Sequence, residues 1–179
     1  MSANGWSAGH EFFGFTAKGQ MTCDGSSCSI GANMTKPKGF CAYHNEFNSN
    51  GNALLYAIQP GLDATRIGCT NAAPSASLSP NNDPDADNVL TAVSHELFET
   101  VTDPRTNTSI GWCDGTYNAG FIGFGVNCSN GEIGDKCNQM FPGRNSDGSD
   151  IVVNGHPYIL QQEFSNRQSA SAQTKCSMS

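Results

Sequence analysis

Residues 95–99 read H-E-L-F-E, which is the beginning of a metal-binding helix with one ligand exchanged. In H-E-x-x-H, two imidazoles four residues apart hold a cation and the glutamate after the first activates a water. Here Glu99 stands in place of the second histidine. On a helix His95 and Glu99 are neighbours one turn apart, about 6 Å along the axis. An imidazole nitrogen and a carboxylate oxygen can therefore converge on one ion, with Glu96 as the general base. A carboxylate ligand makes the site more anionic and its water less acidic. Zn²⁺ accepts such a mixed N/O set, and the harder Mn²⁺ and Ca²⁺ become competitive. A third ligand is sought in G-E-I-G-D-K-C, residues 131–137, where Glu132 and Asp135 would be rigidly held if Cys137 is bridged. His44, in F-C-A-Y-H-N, is a further ligand or base if the Cys41 bridge brings it near His95. The plainer reading of the same residues is a solvated helix face, a charged turn and a turn histidine.

These groups need a helix, and the sequence marks both its ends. Asp83, Asp85 and Asp87 can cap free N–H groups at the start, and Pro84 is tolerated in a first turn. Pro104 cannot continue a helix and disfavours helical geometry at Asp103. At about 100° per residue, with His95 at zero, Val89, Leu90, Val93, Leu97 and Val101 fall between roughly 120° and 240°. That arc is expected to face the core. Glu99 at about 40°, Ala92 at about 60° and Glu96 at about 100° lie off it, with Ala92 leaving room for a ligand. The alternating Asp83, Asp85 and Asp87 lack the glycine and glutamate of a calcium loop, so capping is the favoured role.

Around the helix the sequence predicts short strands and long loops. Residues 10–17 and 52–60 read as strands, the second buried and ended by Pro-Gly. Residues 18–39 and 71–87 read as loop, and 120–126 as a glycine-rich strand. Residues 150–164 read as two strands about Asn154-Gly155, with His156 a hairpin residue. The expected fold is α+β: a single domain over 1–179, loop-rich over 1–39, with one principal helix on a small, mostly antiparallel sheet and disulfide staples.

Eight cysteines without a C-x-x-C pair point to four disulfides in an oxidising compartment, hence to secretion. Local Cys23–Cys28 and Cys113–Cys128 bridges would each close a polar loop. Sequons at Asn33, Asn107 and Asn127 suit a secreted glycoprotein. The first residues lack the pattern of a signal peptide, so the chain reads as a mature form or fragment. Nine basic residues against sixteen acidic give a net charge of −7. The basic residues do not cluster, which argues against phosphate-driven nucleic-acid binding. No apolar run is long enough to span a membrane. Charged residues are only 14% of the chain, and this neutral polar surface suggests self-association as a further role.

Four segments in order resemble the phosphate-induced, EXORDIUM-like family of secreted proteins. S-P-N-N-D-P-D-A-D-N-V-L-T-A-V-S-H-E-L-F-E-T-V-T-D-P (79–104) is similar to its S-P-N-G-D-x-x-x-D segment running into A-H-E-L-A-E-x-x-T-D-P. E-I-G-D-K-C (132–137) is similar to its E-x-x-D-x-C, F-C-A-Y-H-N (40–45) to its C-G-Y-H, and N-G-H-P-Y-I-L-Q-Q-E-F-S-N (154–166) to its N-G-x-x-F-L-I-Q-x-x-W. The resemblance covers 40–176 and lands on His44, His95, Glu96, Glu99, Glu132, Asp135 and Cys137. It implies secretion, bridges Cys41–Cys69 and Cys137–Cys176, and a cell-wall or extracellular setting. It implies no particular activity. The chain is shorter on its N-terminal side than that family, and Phe164 stands where the family has tryptophan. The functional expectation is a secreted metal-dependent hydrolase, peptidase-like, acting on an unidentified extracellular protein or cell-wall substrate. The alternative is a non-catalytic extracellular protein with a structural metal.

Overall fold

The computed structural model describes residues 9–29, 39–61, 69, 79–106, 111–113, 131–165 and 176–178. The strands and helix in chain order are β1 (Glu11–Lys18), β2 (Cys23–Asp24), β3 (Ser27–Ser29), β4 (Gly39–Phe40), β5 (Tyr43–Ser49), β6 (Asn52–Gly61), α1 (Pro84–Thr102), β7 (Ile151–Val153), β8 (His156–Tyr158), β9 (Glu163–Phe164) and β10 (Cys176–Ser177). A 3₁₀ turn, Asp135–Cys137, lies between α1 and β7. The fold is α+β, loop-rich and disulfide-stapled.

The principal sheet is three-stranded, in the order β1-β6-β5, with β5 antiparallel and β1 parallel to the central β6. β6 is the apolar run that the sequence marks as buried. It is joined to β5 by Asn50-Gly51, both at positive φ (52° and 80°), as a two-residue primed hairpin turn requires. The sequence reading missed this hairpin, and with it the strand that carries His44. Residues 151–158 form the expected hairpin, with Asn154 and Gly155 at φ 52° and 82°.

The helix ends fall where capping chemistry puts them. Asp83 accepts a bond from the Ala86 N–H at 3.1 Å, Pro84 opens the helix, and Asp103 closes it ahead of Pro104. The buried face is a correction. Leu97 is 42% and Val101 72% exposed, whereas Asp87, Asn88, Thr91, Glu96, Glu99, Thr100 and Asp103 are buried. The helix packs on β6 and β5. Its apolar arc is not the buried side: Val89, Leu90 and Val93 are half-buried and Leu97 and Val101 exposed, contrary to the sequence expectation. The reason is that most of these polar groups find hydrogen-bond partners on other segments of the chain, so their burial is largely satisfied. A row at every fourth residue shows it. Asp87 accepts from Ser79 and Asn81, and Thr91 donates to the Ile159 carbonyl at 2.5 Å. His95 meets Gln161, Glu99 accepts from the Asp135 N–H, and Asp103 accepts from the Gly111 N–H.

Among the described residues, Leu54, Ala57 and Ile159 form the apolar core with Cys69, Cys137 and Cys176, and fourteen polar or charged side chains are buried alongside them. Cys23–Cys28, Cys41–Cys69 and Cys137–Cys176 are bridged. Cys113 is bridged as well; Cys128, Asn33, Asn107, Asn127 and the proposed strand at 120–126 lie outside the described residues. The disulfides fit an extracellular protein. Among the described residues, no helix is long and apolar enough to cross a membrane.

Candidate metal centre

Three elements meet at the buried side of α1. The helix supplies His95, Glu96 and Glu99. β5 supplies His44, opposite Ala57 of β6. The loop 131–137 supplies Glu132 and Asp135, and it is tied down three times: by Cys137–Cys176, by the Phe164 N–H donating to the Ile133 carbonyl, and by Gln161 donating to the Gly134 carbonyl.

Glu99 is the hub, and its two oxygens face different histidines. Oε1 lies 3.0 Å from His95 Nε2 and accepts the Asp135 N–H at 3.0 Å. Asp135 Oδ1 is 3.7 Å from the same His95 nitrogen. Oε2 lies 3.6 Å from His44 Nδ1, which also meets Glu96 Oε2 at 3.2 Å. Two groups result, His95–Glu99–Asp135 and His44–Glu96–Glu99, each with ligand atoms within 4.8 Å of one another. Either group could hold a metal ion.

Of the residues singled out from sequence, His95, Glu99 and Asp135 lie together. Glu132 does not join them: its Oε1 lies 3.4 Å from His44 Nε2, on the other side of the cluster. The three-residue offset between Glu132 and Asp135 points them to different histidines. His44, one of two open readings in the sequence, is a buried strand residue inside the cluster.

Close approach at Gly134 makes this arrangement possible. A Cβ there would stand 2.8 Å from His95 Nδ1 and 2.9 Å from Glu99 Oε1. Sequence reasoning also missed Gln161 and Glu163. The Gln161 amide is 2.8 Å from His95 Nδ1 and 3.0 Å from the Gly134 carbonyl. The same nitrogen donates to the Gly134 carbonyl, so an NH₂ faces Nδ1 and leaves the proton of a neutral His95 on Nε2; ligation through Nε2 requires the amide to turn over and accept from Nδ1–H. Glu163 is buried and neither of its oxygens meets a hydrogen-bond donor. The alternating Q-x-E of residues 161–163, just before and at the start of β9, was the available signal.

The electrostatics are those of a carboxylate surplus. Glu96, Glu99 and Glu132 find their positive partners in the two histidines. Burial alone would lower the His44 pKa, but Glu96, Glu99 and Glu132 override it and hold it up to about 11. His95 is likewise lifted to about 10, its desolvation outweighed chiefly by Glu99. Burial pushes Glu96 up. It pushes Glu132 up to about 8, reinforced by Glu99, and Glu163 to about 8, partly offset by His95. Glu99 goes the other way, to about 2, because both histidines outweigh its burial. Around the two groups, Glu132 Oε1, Asp103 Oδ2 and both Glu163 oxygens are buried without a hydrogen-bond donor. The mixed N/O donor set of each group, rich in carboxylate, fits a divalent cation.

A cleft of about 320 Å³ reaches this cluster, lined by His95, Glu96, Asp135, Gln161 and Ala92 among others. His95 and Asp135 keep 15% and 24% side-chain exposure, against 3% for His44. No protein-family model, no curated protein and no solved structure matches this chain.

Proposed function

We propose that the chain is a secreted metal-dependent hydrolase of peptidase-like type, in keeping with its resemblance to the EXORDIUM-like family. The observation that carries this reading is the convergence of His95 Nε2, Glu99 Oε1 and Asp135 Oδ1 at a cleft that Glu96 also lines. These three residues would hold the ion. Zn²⁺ is the first choice for the N/O set, with Mn²⁺ or Ca²⁺ as competitors. When bound, such an ion supplies Lewis acidity and a more acidic water.

The chain's own residues then have separate tasks. Gln161 and Gly134 fix the His95 ring from behind. The Asp135 N–H holds the Glu99 carboxylate in place. Glu96 is anchored through Oε2 by His44, leaving Oε1 as the base that takes the water's proton. Burial raises its affinity for that proton, as a base working near neutral pH needs. Elemental analysis after mild dialysis tests the site. Stoichiometric metal in the wild type, lost in His95→Ala/Glu99→Ala, is expected; metal retained in that variant overturns it. Hydrolysis of a peptide library abolished in Glu96→Gln, with metal content unchanged, tests the chemistry.

A second reading, a non-catalytic extracellular or cell-wall protein with a structural cation, is favoured by the depth of Glu96, which is 4% exposed. A Glu96→Gln protein with unchanged biological effect supports that alternative.

A further inference from the structure

The tautomer of His44 is fixed by its surroundings. Its Nε2 lies 3.1 Å from the Asp103 carbonyl oxygen, which can only accept, so Nε2 carries a hydrogen. Nδ1 is thus the nitrogen turned toward Glu96 Oε2 at 3.2 Å and Glu99 Oε2 at 3.6 Å. With no metal it carries a proton that pairs with these carboxylates; with that proton displaced, its lone pair and the two oxygens face one point at 3% to 5% side-chain exposure, where a positive charge is required.

We propose that this point is a second divalent-cation position and that Glu99 bridges it to the His95 position, making a two-metal centre. Four ligands tetrahedrally placed about 2.0–2.2 Å from an ion are about 3.4 Å apart. Edges of 3.2 and 3.6 Å at His44 bracket that value, as do 3.0 and 3.7 Å at His95. Glu99 gives one oxygen to each triangle, the arrangement by which carboxylates hold paired ions about 3.5–4 Å apart. The Nε2–H to a backbone carbonyl is the outer contact that orients a ligating imidazole. Glu132 Oε1, 3.4 Å from His44 Nε2, adds a buried oxygen without a hydrogen-bond donor beside the same ring. A proton on Nδ1 would place one positive charge among these carboxylates; a divalent ion places two. Glu96 gives Oε2 to this position and keeps Oε1 for the cleft.

This proposal rests on the His95 site of the proposed function, and its test separates the two. The full chain is loaded with Mn²⁺ alone, desalted, and its metal content and electron paramagnetic resonance spectrum are measured. Two ions per chain with an exchange-coupled signal are expected, falling to one uncoupled ion in His44→Gln and in His95→Gln. One ion per chain, kept in His44→Gln and lost in His95→Gln, overturns the second position and leaves the first intact. One ion lost only in His44→Gln overturns the pair and moves the metal off His95. No bound ion overturns both readings. The wild-type stoichiometry and spectrum decide the matter even if His44→Gln fails to fold.

Discussion

The two sides of Glu99 use similar residues under different conditions. On one side His95 and Asp135 are partly exposed at a cleft, with Asp135 on a short 3₁₀ turn. On the other, His44 sits in a sheet strand, closed in by Glu96, Glu132 and the Asp103 carbonyl. Each has its own staple: Cys41–Cys69 begins three residues before His44, and Cys137–Cys176 two residues after Asp135. The same carboxylate thus faces a partly exposed group and a closed one. Solvent access separates them, because a dry ion pair cannot trade its partner for water.

The sharpest way to break this comparison is Glu99→Gln, which removes the charge both histidines share. Breaking a buried pair of this kind costs roughly 3–5 kcal/mol, and metal binding should go with it. Urea unfolding and metal analysis check both. Asp135→Asn should weaken metal binding while leaving stability nearly unchanged; an equal loss in both variants would show that the two sides are one unit.

The staples come next. Opening Cys137–Cys176, whose cysteines are 39 residues apart, should cost about 4 kcal/mol on chain entropy. Opening Cys41–Cys69, 28 apart, should cost roughly 3.5 kcal/mol. Similar stability losses with unequal metal losses, greater for the Cys137 bridge, are expected from thermal melts paired with metal titration. Gly134→Ala acts on the His95 side alone. Overpacking costs about 1–3 kcal/mol, and the variant should bind metal less tightly while the His44 ion pairs stay intact.

The pH dependence probes both sides at once. Glu132 beside His44 and Glu163 beside His95 have folded pKa values raised from 4.5 to about 8. The folded chain therefore keeps protons that the unfolded chain has already lost, and stability falls as pH rises through that window. Glu99, lowered to about 2, contributes stability above its unfolded value of 4.5 that is lost as pH falls toward 2. The urea midpoint of metal-stripped protein should decline from about pH 5 through about pH 10, because His44 and His95, raised from 6.5 to about 11 and about 10, also hold protons that the unfolded chain loses. Added divalent cation should flatten the decline, and Glu163→Gln should remove its own share. The smallest effect belongs to the outer helix face. Leu97→Gln should shift stability by no more than about 0.5 kcal/mol, whereas Thr91→Val on the inner face should cost more by stripping a donor from the Ile159 carbonyl.

Local chemistry determined a good deal from sequence alone. Asp83, Pro84 and Pro104 bounded α1, Asn154-Gly155 set a hairpin, and the spacing of His95, Glu96 and Glu99 announced a metal-type helix. Each depends on contacts within a few residues. Asn50-Gly51 was equally legible and was passed over, which cost the strand that carries His44. The fourfold row Asp87, Thr91, His95, Glu99 and Asp103 was also there to be counted.

What only the tertiary structure decided is which side of α1 is inside. An apolar arc faces the core where polar groups are left to solvent, but here the polar groups are paired within the fold. Their partners come from far along the chain: His44 is 52 residues from Glu96, and Gln161 is 66 from His95. No periodicity within the helix encodes those meetings. The chain determined the ligands one turn apart; the sheet, the disulfides and the 131–137 loop decided that Glu132 faces His44, that Asp135 faces His95, and that Glu99 stands between them.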